Sequence, residues 1–123
     1  GVDDYLNKAN DQTMSIILIE DIVAVNNLDE ILEVNNIDIF YVAPGDLAQS
    51  MGLTGGAGSP KVNDVVDGAL KTITGAGKTA GTLVSENTLP HYIDVGARFF
   101  SFSWLPWLSD GAEGILEAVE AAS

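Results

Sequence analysis

The sequence contains no cysteine, one histidine and one arginine. Without thiols the chain forms no disulfide, no thiolate metal site and no cysteine nucleophile. That absence suits a reducing compartment, and a cytoplasmic location is the expectation. Basic residues are scarce: five Lys and Arg stand against 18 Asp and Glu, a formal net charge of −13. A nucleic-acid binder needs a basic footprint to neutralise phosphates, and this chain has none. An anionic membrane surface would repel it for the same reason. No apolar run approaches the roughly 20 residues needed to cross a bilayer. Residues 1–12 lack the apolar core of a secretory signal.

What is present is enough for one domain. The 123 residues are 46% hydrophobic, so the expectation is a single folded unit over 1–123. The acids are spread along helical stretches, as solvated faces would be. Four short apolar runs, at 15–20, 37–43, 79–84 and 97–104, read as strands. The first three are continuous rather than alternating, which suits parallel strands covered on both faces. Helical spacing marks 2–11, 27–34, 60–75, 86–95 and 105–122, the last broken near Gly111 and Gly114. Ser59 is a candidate N-cap with Pro60 in the first turn, and Gly96 is a stop signal. Strands alternating with helices imply an α/β fold with a parallel sheet. The one long connection, 44–59, is glycine-rich and starts directly after a strand. It is either a functional loop or a plain surface excursion.

In parallel α/β folds, ligands gather at the carboxyl ends of strands. Glu20 closes the first run, and Asp46 follows the second, 26 positions later. On neighbouring strands, spaced roughly 5 Å apart, both would project from one rim. Paired carboxylates repel unless a cation or proton lies between them. Hard oxygen ligands favour Mg²⁺ or Mn²⁺, with positions left for water and substrate. Each acid also has a plainer reading: Glu20 in the first turn of a helix, and Asp46 as the N-cap of the turn 47–51.

Around these acids the chain resembles the HpcH/HpaI aldolases, metal-dependent pyruvate aldolases related to citrate lyase β-type barrels. The resemblance is carried by Ile19-Glu20, by the stretches 27–32 and 38–47 with Pro44-Gly45-Asp46-Leu47, and by Ser50-Met51-Gly52-Leu53. The stretches 77–81 and 95–99 extend it, so that it runs from about Tyr5 to Ala112. It implies half of a (β/α)₈ barrel: four parallel strands with flanking helices. It implies that Glu20 and Asp46 hold a divalent ion, Mg²⁺ or Mn²⁺. The N–H groups of Gly45 and Asp46 lie where the family grips the pyruvate carboxylate, and Leu83 resembles a position on the aldehyde side. The implied reaction is cleavage of a 4-hydroxy-2-oxo acid to pyruvate, or a similar oxo acid, and an aldehyde. Departures are visible. Leu18 stands where the family commonly has Gln, and Ala43 where it usually has Gly. The family's catalytic His and Arg belong to the other half of the barrel, so no catalytic residue is assigned. The alternative is a non-catalytic metal- or oxo-acid-binding half barrel, or a fragment without the catalytic base.

Other candidates have structural readings. His91 falls in a helix rather than at a strand end, which gives it a surface or core-edge role. Arg98 opens the last strand, on the opposite, stability face. The run 72–79 superficially resembles a phosphate loop, but a helix precedes it and a strand follows, the reverse of the required order. Trp104 and Trp107 are either buried or exposed interface anchors. Half a barrel has two open sheet edges and an uncovered inner face, so a homo-oligomer is expected.

Overall fold

A computed structural model describes residues 3–122. Its core is one sheet of four parallel strands in chain order: β1 (Ile16–Ile19), β2 (Ile39–Val42), β3 (Thr79–Val84) and β4 (Phe99–Phe102). Around it run α1 (Tyr5–Lys8), a 3₁₀ turn (Asn10–Gln12), α2 (Ile22–Asn26), α3 (Leu28–Leu32), α4 (Pro44–Ser50), α5 (Pro60–Gly75), α6 (Leu89–Val95) and α7 (Leu105–Ala121). All four expected strands form, three of them trimmed by one or two residues at each end.

Strand alternation sorts the side chains onto two faces. Ile19, Phe40, Val42, Ala80 and Val84 turn to one face and are buried there against Val62, Val66, Leu70 and Ile73 of α5, Leu28 and Leu32 of α3, and Tyr92 of α6. Thr82 is a buried polar side chain on the same face, and its hydroxyl donates to the Val42 carbonyl at 2.9 Å. Ile16, Leu18 and Leu83 turn to the other face and are exposed, Leu18 by 56%. The continuous apolar runs suggested cover on both faces. Within the described residues, helices cover only the first face, and the second is largely open apart from Ile39 at its start, because it is the face that a closed barrel turns inward.

Tyr41 spans that inner face. Its ring meets Phe99 edge-on at 6.2 Å, and its hydroxyl hydrogen-bonds Ser101. Gly81 lies between them in register, paired with Tyr41 on one side and Phe99 on the other. A Cβ at Gly81 would stand 3.0 Å from the Phe99 carbonyl oxygen, so a bare backbone is what the ring packing requires.

Several helices differ from expectation. The expected helix 2–11 shrinks to α1 and the 3₁₀ turn, neither of which has a buried residue; Val2 lies outside the described residues. A helix α2 occupies residues left unassigned above, where the β-branched Ile22, Val23 and Val25 have low helix propensity. Asp21 makes it a helix, its carboxylate accepting from the N–H groups of Val23 and Ala24 at 2.6 and 3.3 Å. The long connection 44–59 begins with a helix, α4, whose Pro44 starts the first turn. Helix α5 has the predicted limits. Ser59 takes the N-cap position but makes no capping bond, and its buried Oγ has no hydrogen-bond partner. Gly96, at φ +112°, stops α6 as expected. Helix α7 runs unbroken through Gly111 and Gly114, and none of its residues is buried.

Candidate functional site

Glu20 and Asp46 stand just past the carboxyl ends of the neighbouring strands β1 and β2, Glu20 in a loop and Asp46 in a helix. The strands pair in parallel up to Ile19 and Val42, and the ladder continues with Ala43 N–H donating to the Ile19 carbonyl at 3.1 Å. Glu20 is the next residue on β1, and Asp46 lies in the first turn of α4. Asp46 is therefore not an N-cap, a position taken by Ala43. Glu20 is not helical either; it precedes Asp21, the cap of α2. Both acids are exposed. Neither carboxylate makes an ion pair or a hydrogen bond among the described residues.

Ser50 ties the two segments together. Its hydroxyl accepts from the Ile22 N–H at 3.0 Å and donates to the Leu47 carbonyl at 2.9 Å. The start of α2 is thereby fastened to the last turn of α4. The segment carrying Glu20 and the helix carrying Asp46 are joined through one hydroxyl that makes two hydrogen bonds.

Gly45 and Asp46 precede the first intrahelical bond of α4, from Leu47 N–H to the Ala43 carbonyl at 3.1 Å. Their N–H groups are first-turn donors with no acceptor in the helix itself. Leu83 lies in β3 on the inner face, exposed, paired with Ser101 of β4. Leu18, where the resemblance expects an amide, offers only an apolar surface on that face.

The donor set can be tested against a cation. No group of three or more His, Cys, Asp or Glu among the described residues could hold an ion by itself. Two unpaired carboxylates on one rim suit the other kind of site, in which water and substrate supply the remaining oxygen ligands. A closed structural site is not present among these residues.

His91 is exposed on α6, in keeping with a surface role, but it is not isolated. Its Nε2 lies 2.9 and 3.0 Å from the two carboxylate oxygens of Asp67 on α5. It also lines a groove that reaches Leu83 and Pro44 at the strand ends, a placement the sequence did not reveal. The partners are 24 residues apart with no motif between them. Beside the pair, burial and then the Asp67 charge raise the Tyr92 hydroxyl above its ordinary pKa. Arg98 sits just before β4, away from the rim, and donates to the carbonyls of Ile93 and Ala97 at 3.0 and 2.7 Å. It closes the end of α6, as a cation at a helix C-terminus does. The run 72–79 is the end of α5, a turn at Gly77 and the start of β3. Trp104 and Trp107 are both exposed, with Trp107 stacked on Phe102 at 6.4 Å.

Comparison with known proteins gives a consistent picture. The HpcH/HpaI aldolase/citrate lyase family model matches residues 3–103. A hydroxypyruvate/pyruvate aldolase of Cupriavidus necator is 41% identical over 97 residues, which cover 78% of this chain and 36% of that protein. A 4-hydroxy-2-oxo-heptane-1,7-dioate aldolase of Shigella sonnei is 37% identical over 99 residues, covering 80% and 38% respectively. The chain thus spans little more than a third of the length of these relatives. Among solved structures, an HpcH/HpaI aldolase/citrate lyase family protein from Burkholderia cenocepacia superposes with a TM-score of 0.83 at 27% identity, covering 96% of this chain and 47% of that one. Macrophomate synthase shares the fold, with a TM-score of 0.76 at 24% identity over 99% of this chain and 44% of its own. Four parallel strands with flanking helices, matching about half of each longer chain, make this a half barrel.

Proposed function

This chain belongs to the HpcH/HpaI aldolase/citrate lyase family, and on that premise we propose that it carries the cation- and oxo-acid-binding side of a carbon–carbon lyase site. The substrate class is a 4-hydroxy-2-oxo acid, split to pyruvate or a similar oxo acid and an aldehyde. The observation that carries the reading is the Ser50 bridge, which joins the Glu20 segment to the helix of Asp46. Two carboxylates without a protein partner, carried on segments tied together at one rim, suit a ligand pair for Mg²⁺ or Mn²⁺.

A divalent cation held there would supply Lewis-acid stabilisation of the negative charge that develops on the keto oxygen as the carbon–carbon bond breaks. The chain's own groups do the rest of the binding. Glu20 and Asp46 are the anionic ligands. The N–H groups of Gly45 and Asp46 receive the oxo-acid carboxylate at the start of α4. Leu83 supplies an apolar wall on the aldehyde side and excludes water there. In the family the catalytic His and Arg come from the other half of the barrel.

A second reading has its own support: the single histidine is bound to Asp67, and the single arginine closes α6 away from the rim. On that reading the 123-residue chain binds cation and oxo acid without turning over. We place the whole chain in one unit and in the cytoplasm. No helix among the described residues is long and apolar enough to cross a membrane. An assembly of copies would cover the open sheet face.

Calorimetric titration with Mn²⁺ tests the site. Binding is expected in the wild type and is expected to weaken by about 10- to 100-fold or more in Glu20→Gln and Asp46→Asn, the scale of losses seen when support for a metal site is removed. Equal affinity in all three proteins would refute the ligand assignment. A retro-aldol assay coupled to pyruvate detection then separates the enzyme from the binding-only reading.

A further inference from the structure

Between α5 and α6 a groove of about 780 Å³ opens onto the carboxyl ends of β3 and β4. Leu83 lines its inner end, and Asn63, Asp64, Asp67, Asn87 and His91 line its walls. No Lys or Arg contributes to the lining. The Asp67 carboxylate holds His91 by Nε2 through both oxygens, at 2.9 and 3.0 Å. Tyr92 packs edge-on against the imidazole at 5.1 Å. With Nε2 donating to the carboxylate, Nδ1 is the free ring nitrogen, and in the neutral ring it is an acceptor. Asp64 makes no ion pair or hydrogen bond among the described residues, so its carboxylate is a second open acceptor.

The chemistry of this lining is selective. A ligand carboxylate or phosphate entering it would meet two carboxylates and no Lys or Arg, an arrangement that disfavours anions. Hydroxyl groups, by contrast, donate to such acceptors, and hydrogen bonds to ionised acceptors are the stronger kind. We propose that the groove binds the hydroxylated tail of an uncharged aldehyde. His91 Nδ1 and the Asp64 carboxylate accept from its hydroxyls, and Asp67 positions the imidazole. Leu83 and Pro44, the first residue of the helix that carries Asp46, both line the groove, so a tail held here would leave its aldehyde carbon toward the strand ends. The identity of the ligand as an aldehyde rests on the lyase reading above; the preference for neutral polyols over anions rests on the groove alone.

The test uses the 123-residue chain with erythritol, an unreactive tetrol, and succinate as the anionic counterpart, followed by ¹H–¹⁵N spectra. Erythritol is expected to shift the amides of Asn63, Asp67 and His91 in a saturable way, and succinate is not. His91→Phe and Asp64→Asn are each expected to weaken erythritol binding about fivefold to tenfold, the loss of one hydrogen bond. In Asp67→Ala, the His91 ring ¹⁵N shifts are expected to lose the Nε2–H tautomer preference, a change that simple loosening of the helices would not give. No shift with erythritol, equal response to succinate, or unchanged affinity in both binding variants would overturn the proposal. Adding Mn²⁺ to the same samples separates the two readings. Polyol binding without cation binding sinks the lyase reading alone, and cation binding without polyol binding sinks this one alone.

Discussion

Gly81 shows how much one residue can decide. Tyr41 and Phe99 meet across it, and the Tyr41 hydroxyl reaches Ser101 over it. A methyl group there would press on the Phe99 backbone at 3.0 Å, and a strand carbonyl cannot swing aside as a side-chain tip can. Gly81→Ala is therefore expected to destabilise the chain by about 1–3 kcal/mol, the range for overpacking a filled site. Urea denaturation would read this as a lower midpoint with an unchanged slope. A midpoint equal to or above that of wild type would show that the inner face relaxes freely. Position 81 was legible as a glycine in a strand; its reason was not, since the neighbours that need the space are 40 and 18 residues away in the chain.

At the scale of elements, the helices divide by what holds them. Helix α5 was legible to the residue: Pro60 fits a first turn, and Val62, Val66, Leu70 and Ile73 form one buried stripe. Helices α2 and α4 are short, and short helices owe their existence to contacts rather than to propensity. The cap at Asp21 and the bridge at Ser50 are such contacts. Ser50→Ala removes both hydrogen bonds of the bridge and leaves the Ile22 N–H without its side-chain acceptor. About 1 kcal/mol or somewhat more of stability is expected to be lost. Mn²⁺ affinity is expected to fall in the same variant although Ser50 is no proposed ligand, which calorimetry can measure beside the denaturation curve. Stability lost with Mn²⁺ affinity intact would mean that the bridge does not orient the acids.

For the whole molecule, the unsolved problem is exposed apolar surface. Ile16, Leu18 and Leu83 face outward from the open side of the sheet. Helix α7 adds Leu105, Leu108 and Ile115, all exposed apolar side chains. Its acids, Asp110, Glu113, Glu117 and Glu120, occupy other positions around the helix. Surfaces of this kind favour association, while β1 and β4 leave unpaired edges. Static light scattering at micromolar concentration is expected to give a mass of at least two chains. A stable, well-folded monomer with 12.9 kDa mass would contradict this.

The sequence by itself determined the alternating α/β order, the parallel sheet, the limits of α5 and β3, and the strand-end placement of Glu20 and Asp46. These follow from local rules: apolar period, proline and glycine at helix ends, and an acid directly after an apolar run. The tertiary structure alone decided that Ser50 joins the two acid-bearing segments, that His91 meets Asp67 over a groove, and that, among the described residues, one sheet face stays largely open and α7 has no buried residue. The physical reason is the same in each case. Those features depend on which distant side chains come within hydrogen-bond or van der Waals reach, and no short-range pattern along the chain encodes that meeting.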